Sequence, residues 1–295
     1  MDPIQTGLHA FLAAVLTAVL ALLAEPARRR LAGVPVPLLG IALVGAALWQ
    51  FGVQEGTPRW PYGDPAVPRW HSLAWTLLGS LGAASLAAPL LRTSAPGQRF
   101  AIAVASSAVA LALLRTSPVA GREPAHIAAL LALALSPAWS LAAERLPARA
   151  MLTSIVLAFV VLTAMALEVA HFAKLTAIAG TLAGASIAAL VVSLRFRVTV
   201  TPLVAAVVLI LVGSMCVVAA PYARETPGWI WILPSTIPLT ALAAELPWLR
   251  RRPRLAPALR YLLPALATLG ILAATLGPSL LAGSDDASDD SSAYG

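Results

Sequence analysis

Residues 199–219 read TVTPLVAAVVLILVGSMCVVA, a run with no charged side chain anywhere in it. An uncharged apolar run of about 17–25 residues is long enough to cross a hydrocarbon core as a helix, the form that satisfies every backbone hydrogen bond without water. Working outward, runs of the same kind predict ten spans, at 6–24, 33–52, 72–91, 100–115, 124–143, 150–170, 175–194, 199–219, 228–247 and 261–282. The expected fold is therefore all-α, a polytopic transmembrane helix bundle filling residues 1–283. Short connections make sequential helices antiparallel neighbours.

Composition excludes the alternatives. Hydrophobic residues make up 59% of the chain and charged residues 11%, against about 45–50% and about 25% in ordinary soluble domains. A water-soluble fold of this length could not hide so much apolar surface. The basic excess, 20 Lys and Arg against 13 Asp and Glu, is orientation charge beside membrane helices and not a nucleic-acid footprint. Cys216 is the single cysteine, which excludes an internal disulfide and any multi-cysteine metal site.

Orientation follows from where the basic residues fall. Alternating the ten spans puts 14 of them on one side and 6 on the other. The richer side is expected to be cytoplasmic, with both termini on the opposite side. The first apolar run lacks a positive n-region and carries Arg28, Arg29 and Arg30 after it, so it reads as a retained first span. Arginine dominance and Ala/Leu-rich runs suit a high-GC bacterial genome, and a bacterial inner membrane is the expected location. The weakest segment is 150–194, whose proposed turn at Ala170–Lys174 holds neither Gly nor Pro. A single crossing there would erase the charge bias, so two crossings are expected. Residues 284–295 are acidic and serine-rich and read as a disordered tail.

An offset of 101 residues aligns Pro137 and Leu141-Ala142-Ala143-Glu144 with Pro238 and Leu242-Ala243-Ala244-Glu245, and also aligns 79–88 with 180–189. The pattern suggests a parallel four-helix unit used twice, with spans one, five and nine alike. Transporters built on repeats place their solute site at the repeat interface. The small-residue runs in spans three and seven allow close helix approach, which predicts that those two spans are central.

Few residues carry chemistry. Glu168, His171 and Lys174 are spaced i, i+3, i+6 near the outer end of the sixth span, on one helical face if that helix extends so far. They are candidates for a solute or ion pathway; the competing reading is ordinary interfacial charge. Pro137 and Pro238 lie mid-span and predict kinks, either hinges or packing bends repaired by Ser and Thr. Glu25, Glu144 and Glu245 sit at inner helix ends near arginines and are expected to form ion pairs. The loop containing Trp60, Arg69, Trp70 and His71 reads as an aromatic anchor at the interface or a lid over an outer vestibule.

No nucleotide loop, nucleophile elbow or metal-ligand motif occurs, and the four histidines share no ligand spacing. No cofactor, metal or enzymatic activity is expected, and the expected partner is the lipid bilayer. Two functions compete: a secondary transporter or permease for a small solute, and a non-catalytic subunit or scaffold of a membrane complex, with homo-oligomer or complex partners. A membrane-embedded enzyme or haem protein using the outer histidines is a third and lesser reading.

Overall fold

The computed structural model of the protein describes residues 38–60, 69–79, 135–196, 200–222, 227–252 and 255–289, with a few isolated positions besides. Nine helices are followed here: α1 Leu38–Glu55, α2 residues 72–79, α3 residues 135–145, α4 Ala148–Glu168, α5 Ala173–Arg195, α6 Pro202–Ala219, α7 Leu233–Leu242, α8 Pro247–Arg250 and α9 Leu255–Asp289. Short 3-10 turns join several of them, and no strand occurs among the described residues. Glu25, His9, His126 and the spans expected at 6–24 and 100–115 fall wholly or mostly outside the described residues, as does most of the 79–88 half of the internal match.

Helices α4, α5 and α6 and the Leu255–Gly277 part of α9 are long and apolar enough to cross a membrane. Their composition marks the chain as a membrane protein. The outward faces agree: Ile187, Val191 and Leu194 on α5, and Leu255, Leu262, Leu266 and Leu269 on α9, form exposed apolar stripes. In water such stripes would drive aggregation, whereas lipid tails cover them at no cost. Exposed Trp60 and Trp229 at one end of the bundle and Trp248 at the other match the aromatic girdles of membrane interfaces.

The segment with no glycine or proline to mark a turn is a helical hairpin. Helix α4 ends at Glu168, and the chain reverses through His171, which has a left-handed φ of 48°. The Phe172 N–H reaches back to the Ala166 carbonyl at 2.9 Å, and α5 begins at Ala173. At the far end Arg149 clasps the pair: its Nε donates to the Ser193 carbonyl and its Nη2 to the Leu194 carbonyl, both at 3.0 Å. A guanidinium on the last carbonyls of α5 satisfies orphan acceptors and offsets the negative end of the helix dipole.

The positive φ at a histidine is strained, because only glycine adopts it freely. Replacing His171 with Gly should stabilise the protein by about 0.5–1 kcal/mol, and chemical unfolding in detergent measures it. Destabilisation would show that the imidazole makes a contact worth more than the strain.

Helix α6 is apolar on every face, with Leu203 through Val212 and Ser214 through Ala219 all buried. Thr201 caps α6 by accepting the Val204 N–H, and Pro202 occupies its first turn, so its start is locally encoded.

The span expected at 228–247 is broken into pieces. A 3-10 turn, Gly228–Ile232, leads into α7, and a second, Ala243–Glu245, ends it. Pro234 and Pro238 remove two backbone donors, and Ser235, Thr236 and Thr240 each give their hydroxyl to a carbonyl three residues back. A buried indole ties the segment to its neighbour: Trp139 Nε1 of α3 donates to the Ser235 carbonyl at 2.8 Å. Pro137 and Pro238 thus lie on two helices joined by a hydrogen bond. Helix α9 continues as far as Asp289, into the segment expected as an acidic tail.

Candidate functional site

The α4–α5 turn, the end of α1, the start of α2 and the end of α6 meet at one end of the bundle. Gly56, at φ 73°, closes α1 by donating its N–H to the Gly52 carbonyl, leaving Glu55 as the last helical residue. Four residues on, Arg59 fastens the returning chain with its backbone. Its N–H donates to His71 Nδ1 at 3.1 Å, and its carbonyl accepts from Trp75 Nε1 at 2.9 Å.

Glu55 is the hub. Its carboxylate pairs with the Lys174 ammonium, and His71 Nε2 lies 3.5 Å from its other oxygen. Lys174 Nζ also stands 5.5 Å from the Trp70 ring centroid, a cation–π contact. Because His71 Nδ1 accepts a backbone N–H, it carries no proton, so the neutral ring bears its proton on Nε2, toward Glu55. Burial pushes the imidazole below its ordinary value, ahead of the opposing pull of the Glu55 carboxylate, and favours the same neutral form. The ring therefore meets the Glu55–Lys174 pair as a neutral group, with the Arg59 charge also acting on it.

An aromatic collar surrounds it. Phe51 packs on Trp70 with centroids 4.5 Å apart and on His71 at 5.0 Å; Phe172 meets Trp70 at 5.9 Å and Tyr222 at 4.5 Å. Trp70 is 4% exposed. It is thus an inner packing residue and not the lipid-facing anchor its loop suggested. Trp60, stacked edge-on against Trp75 at 5.1 Å, keeps the exposed position.

Two glutamines precede Glu55 on α1, on a different face of the helix. Gln50 is 0% exposed, and both the oxygen and the nitrogen of its carboxamide lack a hydrogen-bond partner. The same holds for the two buried carboxamide atoms of Gln54, one turn nearer the cluster. Their i, i+4 spacing puts them on one face of the helix.

Of the residues singled out from sequence, Lys174 belongs to this cluster. Glu168 and His171 are exposed and do not join it. The three do not share a helical face, because the helix stops at Glu168 and His171 is the reversing residue of the turn. Lys174 instead belongs to the next helix, where its partner comes from α1. Glu55, Gln50 and Gln54 were missed; the available signal was three polar residues at the end of an otherwise apolar run. At the opposite end, Glu245 forms an ion pair with Arg260 at 2.6 Å. Among the described residues no group of His, Cys, Asp and Glu is arranged to hold a metal.

No protein-family model, curated protein or solved structure matches this chain.

Proposed function

We propose that this protein is a secondary permease for a small solute in a bacterial inner membrane, with its entrance at the Glu55–His71–Lys174 end. The observation that carries the reading is the pair of unpartnered carboxamides, Gln50 and Gln54, buried along α1, the helix that ends at Glu55. Each unmade hydrogen bond in an interior costs about 1–3 kcal/mol, and polar groups inside a membrane bundle mark pathways and sites. Orientation supports an outward-facing entrance: Arg145, Arg149, Arg195, Arg250, Arg251, Arg252 and Arg260 gather at the other end, the cytoplasmic one by the positive-inside rule. The segment divided into a 3-10 turn, the proline-bearing α7 and a second 3-10 turn supplies an element able to move against its neighbours.

The competing reading, a membrane-embedded scaffold, is favoured by α6, apolar all round and packed on all sides. Chemistry at the glutamines separates the two. Cys216 is the single cysteine of the chain and is buried, so a Cys216→Ala background carrying Gln54→Cys or Gln50→Cys presents one thiol. A membrane-impermeant, charged methanethiosulfonate added from outside should modify Gln54→Cys, and Gln50→Cys more slowly. A permease reading does not survive if both thiols stay unreactive while the protein remains folded.

A further inference from the structure

We infer that His71 is a proton-operated latch: on gaining a proton it releases the backbone of Arg59, and with it the chain that follows α1, when the solution at this end of the bundle turns acid. The inference concerns the cluster itself and holds for a permease and a scaffold alike.

The latch is a single lone pair. His71 Nδ1 accepts the Arg59 N–H at 3.1 Å, so the one proton of the neutral ring stands on Nε2, 3.5 Å from a Glu55 oxygen. A second proton has only Nδ1 to go to. There it turns the acceptor into a donor facing another donor, so a charged ring and the Arg59 tie exclude each other. A surface histidine would relieve the clash by turning toward water. His71 is 2% exposed and packed against Phe51 and Trp70, with ring centroids 5.0 and 5.6 Å away, whereas Gly56, Thr57, Arg59 and Trp60 are exposed and outside any helix. The chain at Arg59 is the side that gives way.

The charges around the ring set the direction. Among the described residues three act on it: the Glu55 carboxylate from α1, the Arg59 guanidinium from the chain beyond α1, and the Lys174 ammonium from α5. Burial is the largest influence and holds the ring neutral; the carboxylate opposes it, and the two cations reinforce it. Glu55 is already paired with Lys174, so an imidazolium brings a third positive charge to one negative. Releasing Arg59 removes the donor–donor contact and takes one cation away. The closed form therefore binds a proton at His71 less readily than the open form, in which the ring returns toward its ordinary 6.5. By linkage the closed form is fully favoured above that value and loses its advantage as pH falls below it. The second fastening of Arg59, the Trp75 Nε1 bond to its carbonyl at 2.9 Å, involves no titrating group. It resists opening and does not trigger it.

Amide hydrogen exchange of the purified full chain in lipid nanodiscs reads the latch directly. After correction for intrinsic exchange, protection of the Arg59 amide should fall about 10-fold between about pH 7.5 and about pH 5.5, while amides in the middle of α6 keep theirs. His71→Asn places a carboxamide oxygen near the Nδ1 position and does not titrate, so its Arg59 amide should be equally protected at both pH values. Nitrogen NMR of histidine-labelled wild type is the second reading and needs no variant to fold. It should show Nδ1 without a proton at the higher pH and gaining one over the range in which Arg59 loses protection. Three results overturn the inference: a protected Arg59 amide beside a protonated His71, protection in wild type that ignores pH, or a pH dependence that survives in folded His71→Asn protein.

Discussion

Trp139→Ala should be among the most damaging substitutions in the described part of the bundle, costing about 3–5 kcal/mol. The side chain is 0% exposed and spans the contact between α3 and the proline-broken α7. Truncation in a lipid-solvated protein forfeits little transfer free energy, since the unfolded helices also sit in apolar surroundings. What is lost is packing: an indole-sized cavity at about 24 cal/mol per Å³ accounts for most of the loss. The rest is the hydrogen bond to the Ser235 carbonyl. Trp139→Phe separates the two, keeping most of the volume and losing the donor, and should cost about 1–2 kcal/mol. Unfolding by denaturing detergent from mixed micelles reads both. An alanine variant within about 1 kcal/mol of wild type would mean that α3 and α7 do not depend on this contact.

Arg260→Ala should cost about 3 kcal/mol, for a different reason. Glu245 closes the 3-10 turn after α7 with its side chain 7% exposed, and Arg260 Nε and Nη2 both reach its Oε1, at 2.7 and 2.6 Å. Removing the guanidinium strands a carboxylate among apolar neighbours, whereas Glu245→Gln combined with Arg260→Ala strands no charge. The double variant should therefore be more stable than Arg260→Ala alone. Equal stability of the two would show the carboxylate to be solvated and the pair to be ordinary surface charge.

The helices were legible because their signal is local. The runs expected at 150–170, 175–194 and 199–219 correspond to Ala148–Glu168, Ala173–Arg195 and Pro202–Ala219, within a few residues at each end. Each is bounded by charges or turn residues adjacent in sequence. The site was legible only in part. Lys174 was singled out by its spacing from Glu168 and His171, but its partner Glu55 lies 119 positions away and looked like a loop residue. Spacing misled at Glu168 and His171: i, i+3, i+6 implies a shared face only where the helix continues, and no glycine announces the left-handed residue that stops it. Nor does any pattern in sequence distinguish a buried glutamine with a partner from one without. That difference arises only when neighbouring helices close around it.

The clasped hairpin of α4 and α5 bears on how the chain enters its membrane. Its turn is held by Phe172 reaching Ala166, and its open end by Arg149 reaching Leu194, a separation of 45 residues. Both of these fastenings lie within 148–195, so the pair can assemble as soon as both helices are in the bilayer, without waiting for later segments. Contacts this local form quickly. The hairpin is then a finished surface against which the later α6 and α9 settle, and it should be the last unit to come apart when the protein is pulled or denatured.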